Sequence, residues 1–318
     1  MKALALVIVF ALLPGIARAQ DYPSQSIRLI VPFAAGGAVG AVARVLGAPL
    51  SAWLGQSVVI DNRGGAGGII GMEAVAKSPP DGYTLLLAHS GLTYMPGLYS
   101  KLPFDPLKDF DGVITAVSGT YVLAVFNDAP FKTIPELVAY AKANPGKLSY
   151  GSAGIGSMLH LAAEFFKRAA GVDIIHVPYR GAAQATTDLV GGQVQMMFGP
   201  VVAVLPLAQA GKVRALAVTS AKRSALAPEL PTMIESGVPG FEVTGWYGLA
   251  APAGTPKAIV ERLNAETNRA LQSPEIIEQF RVQGYEPIGG TPDQMNAQIR
   301  SDTAQWSKII RDAGIQPQ

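Results

Sequence analysis

The sequence predicts an α/β protein built as two lobes, each around a mainly parallel sheet. Three observations lead there. Short β-branched or Leu-rich runs alternate with helix-patterned segments along most of the chain. The chain has 318 residues, 49% of them hydrophobic, enough for one large core or two smaller ones, and the length favours two. Beyond the first 19 residues, no apolar segment is long and uninterrupted enough to span a membrane.

At the start of the chain, Met1-Lys2 supply positive charge, residues 3–13 an apolar run, and Ala17-Arg18-Ala19 a small-x-small ending. This is the pattern of a secretory signal, residues 1–19, cleaved before Gln20, and the run is well short of the ~20 apolar residues a membrane anchor needs. The first strand is expected at 27–31 (IRLIV), with a helix over 41–54. SVVID at 57–61 leads to a helix over 68–76, followed by YTLLLA at 83–88 and YVLAVF at 121–126. Thr133-Ile-Pro-Glu136 places a capping hydroxyl, an early Pro and a Glu at a helix start, and Asn144-Pro-Gly ends that helix. LSYG at 148–151 precedes a helix over 158–169, and DIIHVPY at 173–179 precedes one over 182–190. VQMMF at 194–198 and VRALAV at 213–218 continue the alternation. Helices over 259–271, 275–282 and 292–313 dominate the remainder.

Removal of residues 1–19 deletes Lys2 and Arg18 and no acid, taking the formal charge from +2 to 0. With no basic stripe, nothing points to nucleic acid. The absence of Cys rules out disulfides, thiolate catalysis and Cys metal sites. A G-x-S-x-G nucleophile elbow is absent, and His89, His160 and His176 show no metal-ligand spacing, so neither metal nor cofactor is expected. His160 on a helix and His176 in an apolar strand read as structural residues. The sharpest enzyme reading is a dinucleotide fold, because Ala35-x-Gly37-x-x-Gly40 follows a strand and Asp61 ends the next one. It fails on the missing first glycine, on the Pro32-Phe33 break and on the export signal, and a nucleotide-dependent enzyme remains only as a remote alternative.

Four strand-to-helix turns offer chemistry. At Ile27 to Arg44 an apolar strand stops at Gly36-Gly37 and a helix begins, presenting unpaired N–H groups and a positive dipole to an anion. Asn62-Arg-Gly-Gly-Ala-Gly-Gly68 reads first as a tight turn and second as a ligand contact. Tyr150-Gly-Ser-Ala-Gly-Ile-Gly-Ser157 serves either as a helix cap through Ser157 or as an anion site, since a cap needs only one of its hydroxyls. Arg180, after Tyr179, is either a carboxylate partner or a solvated surface charge. An early and a middle turn facing each other would bind a small anion between lobes and bury it by hinge motion.

These motifs, in one order over nearly the whole mature chain, resemble the extracytoplasmic solute receptors of the tripartite tricarboxylate transporter type, also called Bug receptors. The residues that carry the resemblance are VPFAAGG with Ala43-Arg44, NRGGAGG with Ile70-Gly71, PPDGYTLL, YGSAGIGS with His160-Leu161, HVPYRG, GKVRALAVTSAKR, Pro231-Thr232 with Glu235-Ser-Gly-Val-Pro-Gly240, and the run from Trp246 to Pro256. The resemblance implies a two-lobed periplasmic binding protein with two hinge crossings, residues 20–121 with 241–318 forming one lobe and 122–240 the other. It also implies a monomer in the periplasm. Such a receptor captures a small organic carboxylate and delivers it to a permease of one large and one small integral membrane subunit; the alternative is sensing, with the closed form docking on a histidine kinase.

In the family a carboxylate is held by backbone groups and waters at the first turn and by helix N-termini of the second lobe. Carried over, this points to Phe33, Ala34, Ala35, Gly36, Gly37, Val39, Gly40, Ser90 and Thr93 on one side. On the other it points to Ser152, Ala153, Gly154, Gly156, Ser157, Tyr179, Arg180, Phe198, Gly199 and Pro200. Where members often carry Pro, then Ser or Thr, then Asp, this chain has Ala38-Val39-Gly40. Without that carboxylate a ligand ammonium has no partner there, so a dicarboxylate or an aromatic or aliphatic acid is expected over an amino acid.

Overall fold

The computed structural model describes residues 22–33, 35, 38–179 and 181–317. The expected signal, together with Ala34, Gly36, Gly37 and Arg180, lies outside the described residues. The elements run β1 (Ile27–Val31), α1 (Ala38–Leu54), β2 (Val58–Asn62), a 3-10 turn (Ala66–Gly68), α2 (Ile69–Ala76), β3 (Thr84–His89), α3 (Gly91–Leu98) and β4 (Phe110–Phe126). The chain continues through α4 (Ile134–Ala143), β5 (Ser149–Ser152), α5 (Met158–Ala170), β6 (Ile175–Pro178), α6 (Ala182–Val190), β7 (Met196–Pro200), α7 (Val201–Gln209) and β8 (Val213–Val218). It closes with β9 (Thr244–Pro252), α8 (Lys257–Leu271), α9 (Pro274–Val282), β10 (Glu286–Pro287) and α10 (Pro292–Asp312).

The strands form a curled mixed sheet in the order β2-β1-β3-β9-β4-β7-β5-β6, with β8 and β10 also paired to β4. The outer strands are parallel within each lobe, whereas β3, β9, β4 and β7 pair antiparallel. The reason is topological. β4 leaves one lobe and β9 returns to it, so the two run in opposite directions where they meet. β4 changes partners in mid-course, pairing with β9 as far as Thr120 and with β7 and β8 from Tyr121.

Thr219 sits at that change of partners. Its hydroxyl accepts from the Tyr121 N–H at 3.0 Å and donates to the Val243 carbonyl at 2.6 Å. Its backbone N–H donates to Tyr121 and its carbonyl accepts from Val243 N–H. The outgoing and returning chains are therefore tied to one buried residue.

Each lobe has its own core. The first packs Leu29, Val31, Val42, Leu46, Leu85 and Leu249 on one face of its sheet and Ile30, Leu86, Trp246 and Met295 on the other. The second is rich in aromatics, with Phe131, Phe166, Phe198 and Phe241 fully buried. Helix α10 bridges them: Met295 and Ile299 pack in the first lobe, while Trp306, Ile309 and Ile310 join the core of the second. Asp312 at its end pairs with Arg168 of α5 at 2.6 Å.

The Thr133 cap forms as its sequence indicates, its hydroxyl accepting from Glu136 N–H. Four elements differ from expectation. β4 extends back to Phe110 through a segment whose Asp111, Gly112 and Gly119 read as turn residues. β9 includes Gly245, Gly248, Ala250 and Ala251, residue types with low strand propensity. Helices α3 and α7 each contain a proline, Pro96 and Pro206, that argues against a helix in sequence and is tolerated in these short ones.

Candidate functional site

The first glycine turn lies at the end of β1, and Asn62 of β2 fastens it by donating to the Phe33 carbonyl at 2.9 Å. Beside it, Gly65, Ala66, Gly67 and Gly68 all have positive φ, and Ala66 is the only non-glycine so placed among the described residues. Glycine adopts these conformations without steric cost, so only Ala66 bears a penalty. Below both lies the end of β3, where the His89 side chain is 6% exposed.

The second turn joins β5 to α5, and side chains of its own lobe hold it. The Ser152 hydroxyl sits 2.7 Å from His176 Nε2 and accepts from the Gly154 N–H at 3.1 Å. The Ser157 hydroxyl donates to the Gly154 carbonyl and accepts from the His160 N–H, while the Gly156 N–H donates to His160 Nδ1. The rings of His160 and His176 stack at 4.2 Å, with Tyr150 over His176 at 4.7 Å. Burial, and then the neighbouring His160, pushes the His176 imidazole down to about 4; burial also lowers His160. Ser157 caps α5 by taking the His160 N–H, so Met158 and Leu159 carry the next donors at that helix N-terminus.

A cavity of about 460 Å³ joins the two turns, within the range of small-molecule sites. Phe33 and Gly67 line it on one side and Ala153, Ile155, Gly156 and Ser157 on the other. Tyr94, Met95 and Leu98 of α3, with Tyr99 just after it, form its floor, and Ile315 and Gln316 close one end. None of these lining residues carries a charge, and burial holds the Tyr94 phenol neutral by pushing it up to about 12. The arrangement suits a ligand with an apolar body whose charged end is met by backbone donors.

Phe33, Ala153, Gly156 and Ser157 come together at the cavity, with Ser152 and Gly154 directly behind. Gly156 has φ of +78° and a Cβ there would stand 3.0 Å from Leu98, so the absence of a side chain lets the two walls approach. Ala35 is exposed. The buried Ser90 begins α3, and Thr93 is fully buried with its hydroxyl donating to the Ser90 carbonyl, so neither lines the cavity. Gly40 is buried, with its Cβ position directed at Arg44. The Tyr179 hydroxyl donates to Asp188 at 2.6 Å.

Two of the expected contacts lie within the cores. Val39 is 8% exposed and packs into the first core, because the first turn of α1 directs it at the sheet. Phe198 is fully buried against Phe166 and Phe241, because its inward strand position faces the second core. Gly199 accompanies it, its Cβ position only 2.7 Å from Val204, and Pro200 precedes α7. The cavity residues of α3 and the C-terminal pair were missed, as were Gly67 and Ile155. Of these, Gly67 and Ile155 had a signal, since both sit within the glycine turns already singled out.

The chain matches the family described as "Tripartite tricarboxylate transporter family receptor" over residues 42–315. It is 44% identical over 294 residues to a "UPF0065 protein in tcbD-tcbE intergenic region" of Pseudomonas sp. (strain P51), covering 92% of this chain and 88% of that one. Protein BugT of Bordetella pertussis is 38% identical over 322 residues, 98% of each. Among solved structures, R. palustris Rpa4515 with adipate aligns with a TM-score of 0.77 at 39% identity, covering 94% of this chain and all of that one. Together with the two-lobed fold and the cleft between its glycine turns, these matches place the chain in the receptor family of the tripartite tricarboxylate transporters, the Bug receptors.

Proposed function

We propose that this protein is a periplasmic receptor that captures a small organic acid in the cleft and delivers it to a tripartite tricarboxylate-type permease. The observation that carries the reading is the aromatic-walled cavity between the two turns, with no charged side chain among its described lining residues. One end of the ligand meets backbone N–H groups there, and its carbon skeleton meets Phe33, Leu98 and Ile155. An amino group would find no carboxylate among the described lining residues. Adipate, which the solved relative holds, has the expected form of two carboxylates with a hydrocarbon between them. Under this reading residues 1–19 are removed on export, and residues 20–121 with 241–318 close against 122–240 as a monomer. Closure follows from tighter binding to the closed form, since a ligand that holds both forms equally shifts nothing.

The test is a thermal-shift and calorimetric series with adipate, benzoate, malate, aspartate and glutamate. A bound acid at 100 times its dissociation constant stabilises the fold by ~2.7 kcal/mol. Adipate or benzoate is expected to raise the midpoint more than either amino acid. If no carboxylate moves it, or if only the amino acids do, the reading fails.

A further inference from the structure

His89 carries a hydrogen-bond donor that the protein itself leaves unmatched. Its Nδ1 accepts from the Gly91 N–H at 2.9 Å, so the neutral ring must carry its proton on Nε2. Nε2 is buried and has no hydrogen-bond partner. The ring is neutral at ordinary pH because burial pushes the imidazole down to about 4. An unmatched buried donor is uncommon in a native protein, since it has given up water and received nothing in return.

The seat around this ring is closely built. A Cβ at Gly91 would fall 2.1 Å from Cε1 and 2.6 Å from Nδ1, so the imidazole folds over a residue that must lack a side chain. On the far side, Nε2 lies 3.3 Å from the Cβ position of Gly68, in the seam between that turn and Pro32. The Phe33 ring, whose other edge lines the cleft, is tilted against the imidazole with centroids 5.0 Å apart. Nε2 therefore faces the seam between Gly68 and Pro32, next to Phe33, a residue that lines the ligand cavity.

We propose that His89 Nε2–H is the recognition donor of the first lobe, completed by an oxygen of the ligand carboxylate, directly or through one water, as Phe33 moves aside. This inference rests on the receptor reading above and gives it a named side chain. A neutral N–H with no acceptor on offer donates to a carboxylate oxygen and rejects an ammonium, which agrees with the absence of a charged side chain among the described lining residues. The imidazole supplies a polar contact in a jaw whose turn at Ala38-Val39-Gly40 has no polar side chain.

The experiment measures the dissociation constant of whichever of adipate, benzoate and malate the unmodified protein binds most tightly, then repeats it on His89→Phe and His89→Gln. His89→Phe is expected to weaken binding tenfold or more, and His89→Gln, whose amide N–H reaches the same seam, to recover most of it. A merely structural histidine would lower the melting midpoint of the free protein and leave the dissociation constant unchanged. A second readout needs no variant: the Nε2–H proton resonance of the unmodified protein, labelled with ¹⁵N, moves downfield on saturation with the same acid. Binding by a folded His89→Phe within twofold of the unmodified protein overturns the inference. If that variant does not fold, a stationary Nε2–H resonance overturns it instead. Failure of the unmodified protein to bind any of the three acids counts against the receptor reading itself, a different outcome from either.

Discussion

Ser152 and His89 are both buried polar side chains beneath a glycine turn, one in each wall of the cleft, and they are treated in opposite ways. The Ser152 hydroxyl is matched by His176 and by the Gly154 N–H, and the Ser157 and Tyr179 hydroxyls beside it are matched too. His89 is matched on one nitrogen and open on the other. The second wall is therefore finished before anything arrives, offering shape, Ile155 and a helix N-terminus. The first wall is incomplete, and its stability and selectivity depend on what fills it.

Acid should give the largest effect, and it acts on both walls. His89 has its pKa lowered from 6.5 to about 4 on folding, so between those values the unfolded chain binds a proton that the folded one refuses. The stability it contributes is whole above pH 6.5 and is lost as the pH falls towards and through about 4. Across that window the loss comes to about 3 kcal/mol for His89 alone. His176, lowered in the same direction, adds to the fall from the second wall. Urea titrations at pH 7 and pH 4 should show the loss shrinking in His89→Phe; equal losses in both proteins would contradict the assignment.

Removing a partner from the finished wall should cost less. Ser152→Ala leaves the Gly154 N–H and the His176 ring without their shared hydroxyl, and a destabilisation of about 2 kcal/mol is expected, read as a lower urea midpoint with unchanged slope. If the midpoint does not move, the network around the second turn is not what orders it. The smallest effect is expected from Ile155, which is 63% exposed. Ile155→Ser should change stability by no more than about 0.5 kcal/mol, yet weaken adipate more than the shorter malate. Equal loss for both acids would mean that the second wall does not read the carbon skeleton.

Much of this cleft was legible in the sequence because a strand that stops at glycines and restarts as a helix leaves a distinctive record. The turns at 33–40 and 151–157 are of that kind, and Ser157 is recognisable as a cap from its place before Met158. The floor was not legible. Helix α3 reads GLTYMPGL, where two glycines and a proline outweigh the helical spacing of Leu92, Met95 and Leu98, and burial overrides local preference. Nor does sequence spacing reveal direction at the ends of elements, so the packing of Val39 and Phe198 into the cores cannot be read from it. The open nitrogen of His89 is invisible in sequence, because it arises from three turns distant along the chain meeting around one ring.

Thr219 binds the outgoing strand at Tyr121 to the returning chain at Val243, so the link between the lobes behaves there as a ribbon two chains wide. A ribbon folds readily about the line across its width and resists shear within its own plane. Helix α10 spans the two cores beside this ribbon, so the lobes are joined along a band rather than at a single point. Under the receptor reading, such a band would bring the walls of the cleft back to the same mutual register at each closure.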